Sequence, residues 1–212
     1  MDSPVARTFF ETGRVAADLI ARPEVAAGWD GPSALAEFTV RGLAGHLLRA
    51  TGSVEAYLDR PEPDGEPIGA AEYYVQAVGE PDIHSEIHRA IRQRGEDQAA
   101  GGYEAVRAEA YSILDRLAAR LGAESPDRKV RAYKDLVLAI DDYLVTRLIE
   151  LVVHVDDLAA SVGVETPPLP AEATRLAIAT LVEVARLKHG DAAVLRALAR
   201  RERDEPGALR VL

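Results

Sequence analysis

The chain has 212 residues and a mass of 22.8 kDa, a size that suits one ordinary domain with a small extension. It contains no cysteine, which excludes a disulfide framework, a cysteine-ligated metal and a cysteine nucleophile. With 25 basic and 35 acidic residues, the formal net charge of −10 argues against a nucleic-acid partner or an anionic membrane surface. No segment has the pattern of a signal peptide or a membrane span, so we expect a cytoplasmic protein.

The first half of the chain has the apolar spacing of amphipathic helices. Ser3 followed by Pro4 is typical of a helix start, and this first helix is predicted to end before residues 22–23. Residues 29–38 are predicted to form an ordered loop, after which Thr39 caps a second helix that ends at the proline-rich residues 61–67. A short helical or irregular piece around Tyr73 follows.

The second half continues the helical pattern. Residues 82–121 predict two helices, or one helix kinked at Gly101 and Gly102, and residues 122–134 predict a loop. A strongly apolar helix then runs from Asp141 or Asp142 to about residue 161. We therefore predict an all-α fold in which residues 1–163 form a four-helix up-and-down bundle and residues 164–212 form a short helical extension.

The fourth long helix carries the most informative residues. Glu150 and His154 are four residues apart, which places both side chains on one helical face within reach of a single metal ion. His46, in the middle of the second long helix, is the candidate third ligand. Two histidines and one carboxylate suit Zn²⁺, leave a coordination position open, and also suit Fe²⁺.

Two neighbouring charged residues leave the role of this pair open. A glutamate in such an apolar helix needs a partner, since an unpaired buried carboxylate is costly. Arg147, three residues before Glu150, offers an ordinary salt bridge instead of a metal, or a charge that positions an anion. Asp157, three residues after His154, is placed to orient the histidine ring. We predict catalytic roles for Arg147 and Asp157.

Two segments carry a family resemblance. GWDGPSALAEFTVRGLAGHLLRA near the start and RLIELVVHVDDLAASVG about a hundred residues later together resemble the mycothiol-dependent maleylpyruvate isomerase family of DinB-like metal-dependent enzymes. The resemblance implies a DinB-like four-helix bundle, with His46, Glu150 and His154 as the metal triad. It also implies that Trp29, Ser33 and Thr39 frame the approach to the site.

The same resemblance implies the chemistry. The expected cofactors are a divalent metal, most simply zinc with iron or nickel as alternatives, and mycothiol or another low-molecular-weight thiol. Thiol addition to a cis-enedioate allows rotation about the former double bond, and elimination then gives the trans isomer. With other small electrophiles the adduct is the product, which is S-transfer. The isomerase itself has a larger appended domain with a substrate-binding arginine, for which Arg200 and Arg201 offer no secure counterpart.

Two other functions are compatible with the same residues. The short extension suits a noncatalytic protein that binds a small ligand or a metal, and the open metal position suits a thiol-independent hydrolase. His84 and His88 have ligand-like spacing, but alternating isoleucines assign them to the polar edge of a helix. The sequence leaves the oligomeric state open.

Overall fold

The computed structural model describes residues 3–77, 84–125, 127–203 and 207–211. Within them the fold is helical apart from a short antiparallel hairpin. The helices are α1 (Pro4–Ile20), α2 (Pro23–Gly28), α3 (Val40–Leu58), α4 (Ala70–Ala77), α5 (Glu86–Gln98), α6 (Tyr103–Ala123), α7 (Ile140–Ser161), α8 (Ala171–His189) and α9 (Asp191–Ala199). The hairpin strands are β1 (Lys129–Arg131) and β2 (Val137–Ala139), and 3₁₀ turns occupy Tyr133–Asp135 and Arg201–Arg203.

Four long helices form the central bundle. Both α1 and α3 pack against both α6 and α7, so each helix has two neighbours around a shared apolar core. That core includes one fully buried large side chain from each helix, Phe9, Leu47, Leu117 and Leu148. The predicted all-α four-helix bundle is confirmed.

The predicted helix starts are present. The Ser3 side chain accepts a hydrogen bond from the backbone N–H of Ala6, with Pro4 in the first helical position. Thr39 caps α3 in the same way by accepting from the Gly42 N–H at 3.0 Å. The described part of the 82–121 segment forms α5 and α6, separated at Gly101 and Gly102, and residues 82–83 lie outside the described residues.

Two short elements differ from the prediction. The segment predicted as a loop at 122–134 contains β1, which pairs with β2 immediately before α7. A strand of three residues is too short to show an alternating pattern, so the sequence gives no signal for it. The six-residue helix α2 was not predicted either, because it is too short to show helical periodicity.

The segment after the bundle forms α8 and α9. Helix α8 packs against α1, α4 and α7, while α9 packs against α8. Two helices in this region agree with the prediction, and the boundary between residues 163 and 164 stays a prediction. No helix in the described ranges is long and apolar enough to cross a membrane.

The crossing of α3 and α5 depends on glycine. An added Cβ at Gly45 would collide with the carbonyl oxygen of Gly95, and one at Gly95 would collide with the carbonyl oxygen of Gly42. The two backbones therefore approach more closely than any side chain would allow. This approach brings the first half of α5 over the face of α3 that carries His46.

We predict that Gly45→Ala is strongly destabilising. Its methyl group meets backbone rather than a movable side chain, so we expect the free energy of unfolding to fall by about 1–3 kcal/mol. Urea denaturation followed by circular dichroism measures this change. Gly122→Ala is the matched control, because a Cβ there meets no described neighbour within 4 Å and should stabilise α6 by up to about 1 kcal/mol. If Gly45→Ala were as stable as the wild type, the close approach of α3 and α5 at this residue would be contradicted.

Candidate metal centre

Three potential metal ligands converge between α3 and α7. His46 Nε2 lies 2.9 Å from Glu150 Oε2, and His154 Nε2 lies 3.5 Å from the same oxygen. One ligand atom from each of the three residues lies within 4.8 Å of the others. The structure thus brings together the set of residues that the sequence predicts.

Local helical structure sets this geometry. Glu150 and His154 are one turn apart on α7, while His46 reaches them from the packed face of α3 between buried Leu43 and Leu47. The side chains of the three residues are only 15–19% exposed. The three polar groups are therefore partly shielded from water and must form hydrogen bonds with one another.

Asp157 fixes the ring of His154. Its Oδ2 lies 2.8 Å from His154 Nδ1, so a proton on Nδ1 is donated to the carboxylate and Nε2 is directed at the triad. The following turn is tied to the loop before α3, because Ser161 donates to the backbone oxygen of Asp157 and accepts from the Ala34 N–H. Asp157 lies where the sequence predicts an orienting residue.

Charges around the triad shift its pKa values in opposite directions. Burial lowers the pKa of His46. For Glu150, burial favours a higher pKa, but hydrogen bonds with His154 and His46 and the charge of Arg147 hold the pKa well below its usual value. Burial likewise opposes charging of His154, but hydrogen bonds with Asp157 and Glu150 raise its pKa to about 9. Glu150 is thus an ionised carboxylate.

Arg147 does not form a salt bridge with Glu150. Its Nε donates to Thr146 Oγ1 at 3.1 Å, and its guanidinium carbon lies 5.1 Å from the centre of the Tyr143 ring. The direct partners of Glu150 are His46, His154 and Tyr74. The alternative in which Arg147 alone accounts for the buried glutamate therefore does not hold, and Arg147 acts on Glu150 through its charge.

The donor set fits a divalent metal ion. Two imidazole nitrogens point at one carboxylate oxygen, an arrangement that needs either a proton between each pair or a shared cation. His46 Nδ1 is buried and has no hydrogen-bond partner in the part of the chain that the structure describes. The contacts of the His46 ring are therefore concentrated on the nitrogen that faces the triad.

A cavity of about 460 Å³ adjoins the triad. Its apolar wall comes from the loop before α3, from α5 and from α7, and its polar wall contains the triad and Asp157. The apolar lining residues are Leu35, Ala36, Phe38, Ile91, Ile149 and Val153. Such a cavity accommodates a small molecule with one reactive group at the triad.

Sequence reasoning missed several residues of this cavity, among them Tyr74 and His88. The hydroxyl oxygen of Tyr74 lies 3.1 Å from Glu150 Oε1 and 3.0 Å from the Thr146 carbonyl oxygen, so its proton is shared between two acceptors. His88 lines the cavity, although the sequence assigns it to a solvated helix edge. The isoleucine spacing predicts the apolar face of α5, on which Ile91 is half-buried, but not the element that the polar edge of the helix faces.

The three residues expected to frame the approach lie beside the cavity rather than in its wall. Trp29 packs edge-on against Tyr103 at 5.6 Å, and Thr39 caps α3 while donating to Glu96. Ser33 hydrogen-bonds within its own turn, to the backbone of Leu35. These side chains hold the loop whose next residues form the cavity wall.

The comparisons with known proteins agree with this fold. The crystal structure of the mycothiol-dependent maleylpyruvate isomerase matches with a TM-score of 0.53 and 16% sequence identity, over 85% of this chain and 69% of that chain. At that identity the match shows a common fold. No curated protein matches the chain by sequence. The family model of the mycothiol maleylpyruvate isomerase N-terminal domain matches residues 10–159, which include the whole triad, and the chain belongs to that family.

Proposed function

We propose that this protein is a metal-dependent enzyme that uses a low-molecular-weight thiol of the mycothiol type to isomerise a small electrophile or to transfer sulfur to it. The observation that carries the proposal is the convergence of His46, Glu150 and His154 on one point in the wall of the cavity. Zinc is the proposed metal, because two histidines and one carboxylate provide three of its four usual ligands. Family membership supports the thiol, since the matched domain is named for mycothiol.

The reactive sulfur must come from outside the chain, which has no cysteine. When bound, the metal ion supplies a positive charge that stabilises a thiolate and polarises a carbonyl group at neutral pH. Phe38, Ile91 and Val153 place apolar surface beside the reacting groups and would exclude part of the water around them. This exclusion strengthens the electrostatic interactions at the triad and favours transfer to the electrophile over hydrolysis.

The remaining polar residues position the ligands. Asp157 holds the proton of His154 on Nδ1 and keeps Nε2 directed at the triad. Tyr74 fixes one oxygen of Glu150, which leaves the other oxygen for the metal. Arg147 adds its charge to the hydrogen bonds with His154 and His46 that together lower the pKa of Glu150 and keep it ionised. We therefore propose that Asp157 and Arg147 are positioning residues.

We predict that metal binding requires the triad. Protein purified without a His tag or chelator should contain about one zinc or iron per chain. His46→Ala and Glu150→Ala should lose this metal while retaining their helical circular dichroism, because neither side chain contributes to the apolar core. Metal analysis by mass spectrometry measures the loss. His88→Ala is the matched control, since His88 lines the same cavity without joining the triad, and metal retained by both triad variants would overturn the centre.

The orienting role of Asp157 gives a second prediction. Asp157→Asn removes the carboxylate that fixes the His154 ring, so we expect zinc affinity to fall about 10–100-fold. Competition with a chromophoric chelator measures the affinity. Asp156→Asn is the control, because Asp156 is exposed and bonds only Thr166 among the described residues. Equal affinities of the two variants would show that the contact between His154 and Asp157 does not position a ligand.

Turnover should require both the metal and the thiol. With a cis-enedioate and mycothiol, we expect product to form in the zinc-loaded protein, to stop on chelation and to return when zinc is added. Absorbance of the conjugated substrate and product follows the reaction, and His154→Ala should be inactive. Hydrolysis without any thiol would indicate the hydrolase, while tight binding of metal with no turnover across diverse electrophiles would indicate the noncatalytic binding protein.

A further inference from the structure

A layer of arginines lies one helical turn from the metal centre. Arg49 follows His46 by three residues on α3, and Arg147 precedes Glu150 by three residues on α7. Arg94 on α5 similarly follows Ile91, which lines the metal cavity. We define Arg49, Arg94 and Arg147 as the arginine layer.

The charges of Arg94 and Arg147 act on Arg49. Burial, followed by repulsion from Arg94 and Arg147, lowers the pKa of Arg49. Arg147 is held over the ring of Tyr143, and Tyr143 contacts Tyr57 edge-on at 5.2 Å. Positive charge is thus concentrated around Arg49, which favours an anion beside it.

Among the described residues, no carboxylate makes a direct ion pair with the arginine layer, although the charge of Glu150 acts on Arg147 from one turn away. Within the described ranges neither Arg49 nor Arg94 forms an ion pair, and Arg147 forms none either. Other arginines do form ion pairs, since Arg41 and Arg116 each contact two carboxylates. A chain with ten more acidic than basic residues does not lack carboxylates, so the absence of direct ion pairs here is local.

A separate cavity of about 260 Å³ opens beside Arg49. Its charged lining residues are Arg49 and Arg60, it contains no acidic residue, and Arg60 lies 4.5 Å over the ring of Tyr57. Ser53 also lines it and accepts the hydrogen bond of the Tyr143 hydroxyl, which leaves the Ser53 proton free to be donated. The Gln98 side chain completes the polar lining.

From this geometry we infer that the cavity beside Arg49 is an anion-binding site, distinct from the metal centre, for the carboxylate or phosphoryl group of a small molecule. Arg49 and Arg60 supply fixed positive charge with several N–H donors, and guanidinium groups match the spacing of oxygens in both kinds of anion. Ser53 donates a further hydrogen bond. Arg94 and Arg147 add positive potential without contacting the anion.

The test uses sulfate, as a tetrahedral anion, and succinate, as a dicarboxylate, on metal-free protein. Isothermal titration calorimetry should show saturable binding, and the anion should raise the melting temperature. Arg49→Gln should weaken binding at least about tenfold, because it removes a charged hydrogen-bonding partner. Arg107→Gln is the matched control, since Arg107 is an exposed arginine already paired with Glu104. Tighter sulfate binding would identify a phosphoryl ligand and tighter succinate binding a carboxylate.

Separate controls test whether the variants affect folding or the metal centre. In anion-free buffer, Arg49→Gln should melt no lower than wild type, because the substitution relieves repulsion. Ser53→Ala keeps every arginine and should weaken the anion several-fold, which supports the site independently. His154→Ala should bind the anion like wild type. The anion test is therefore valid even if the proposed metal centre is wrong. Absence of binding, or equal binding by wild type and Arg49→Gln, would overturn the inference.

Discussion

The contact between His46 on α3 and Glu150 on α7 is the interaction on which the arrangement of the metal centre depends. An ionised carboxylate in this setting is unfavourable by several kcal/mol unless it is paired, so its neighbours must supply donors. His46, His154 and Tyr74 contact its two oxygens directly. The positions of α3, α4 and α7 relative to one another are therefore coupled through a single carboxylate.

This constraint explains why a mainly apolar bundle contains a polar cluster. Apolar packing between α3 and α7 fixes the distance between the helices, while the polar contacts select which residues face each other across that distance. The close crossing at Gly45 and Gly95 then closes the cavity with α5. Without that crossing, Ile91 and His88 would stand away from the triad, and the site would be an open surface.

The sequence predicted the parts that depend on periodicity within one helix. The spacing of Glu150, His154 and Asp157 specifies their shared face whatever the neighbouring helices do, and a capped, apolar α3 places His46 on its packed side. Tyr74 and His88 depend instead on how α4 and α5 cross the bundle. The position of α5 results from backbone approach at glycines, which periodicity does not encode. The contacts of α4 and of the arginine layer likewise depend on packing between helices.

The charges of the metal centre and of the arginine layer are linked. Glu150 and Asp157 contribute two negative charges, which match the two positive charges of the proposed divalent ion. Once the ion is bound, little negative charge remains to balance Arg147, although its guanidinium still lies over Tyr143. Tyr143 links Arg147 to the cavity beside Arg49, because its ring lies under the guanidinium and its hydroxyl donates to Ser53. Metal binding should therefore raise the positive potential at the arginine layer and increase its attraction for an anion.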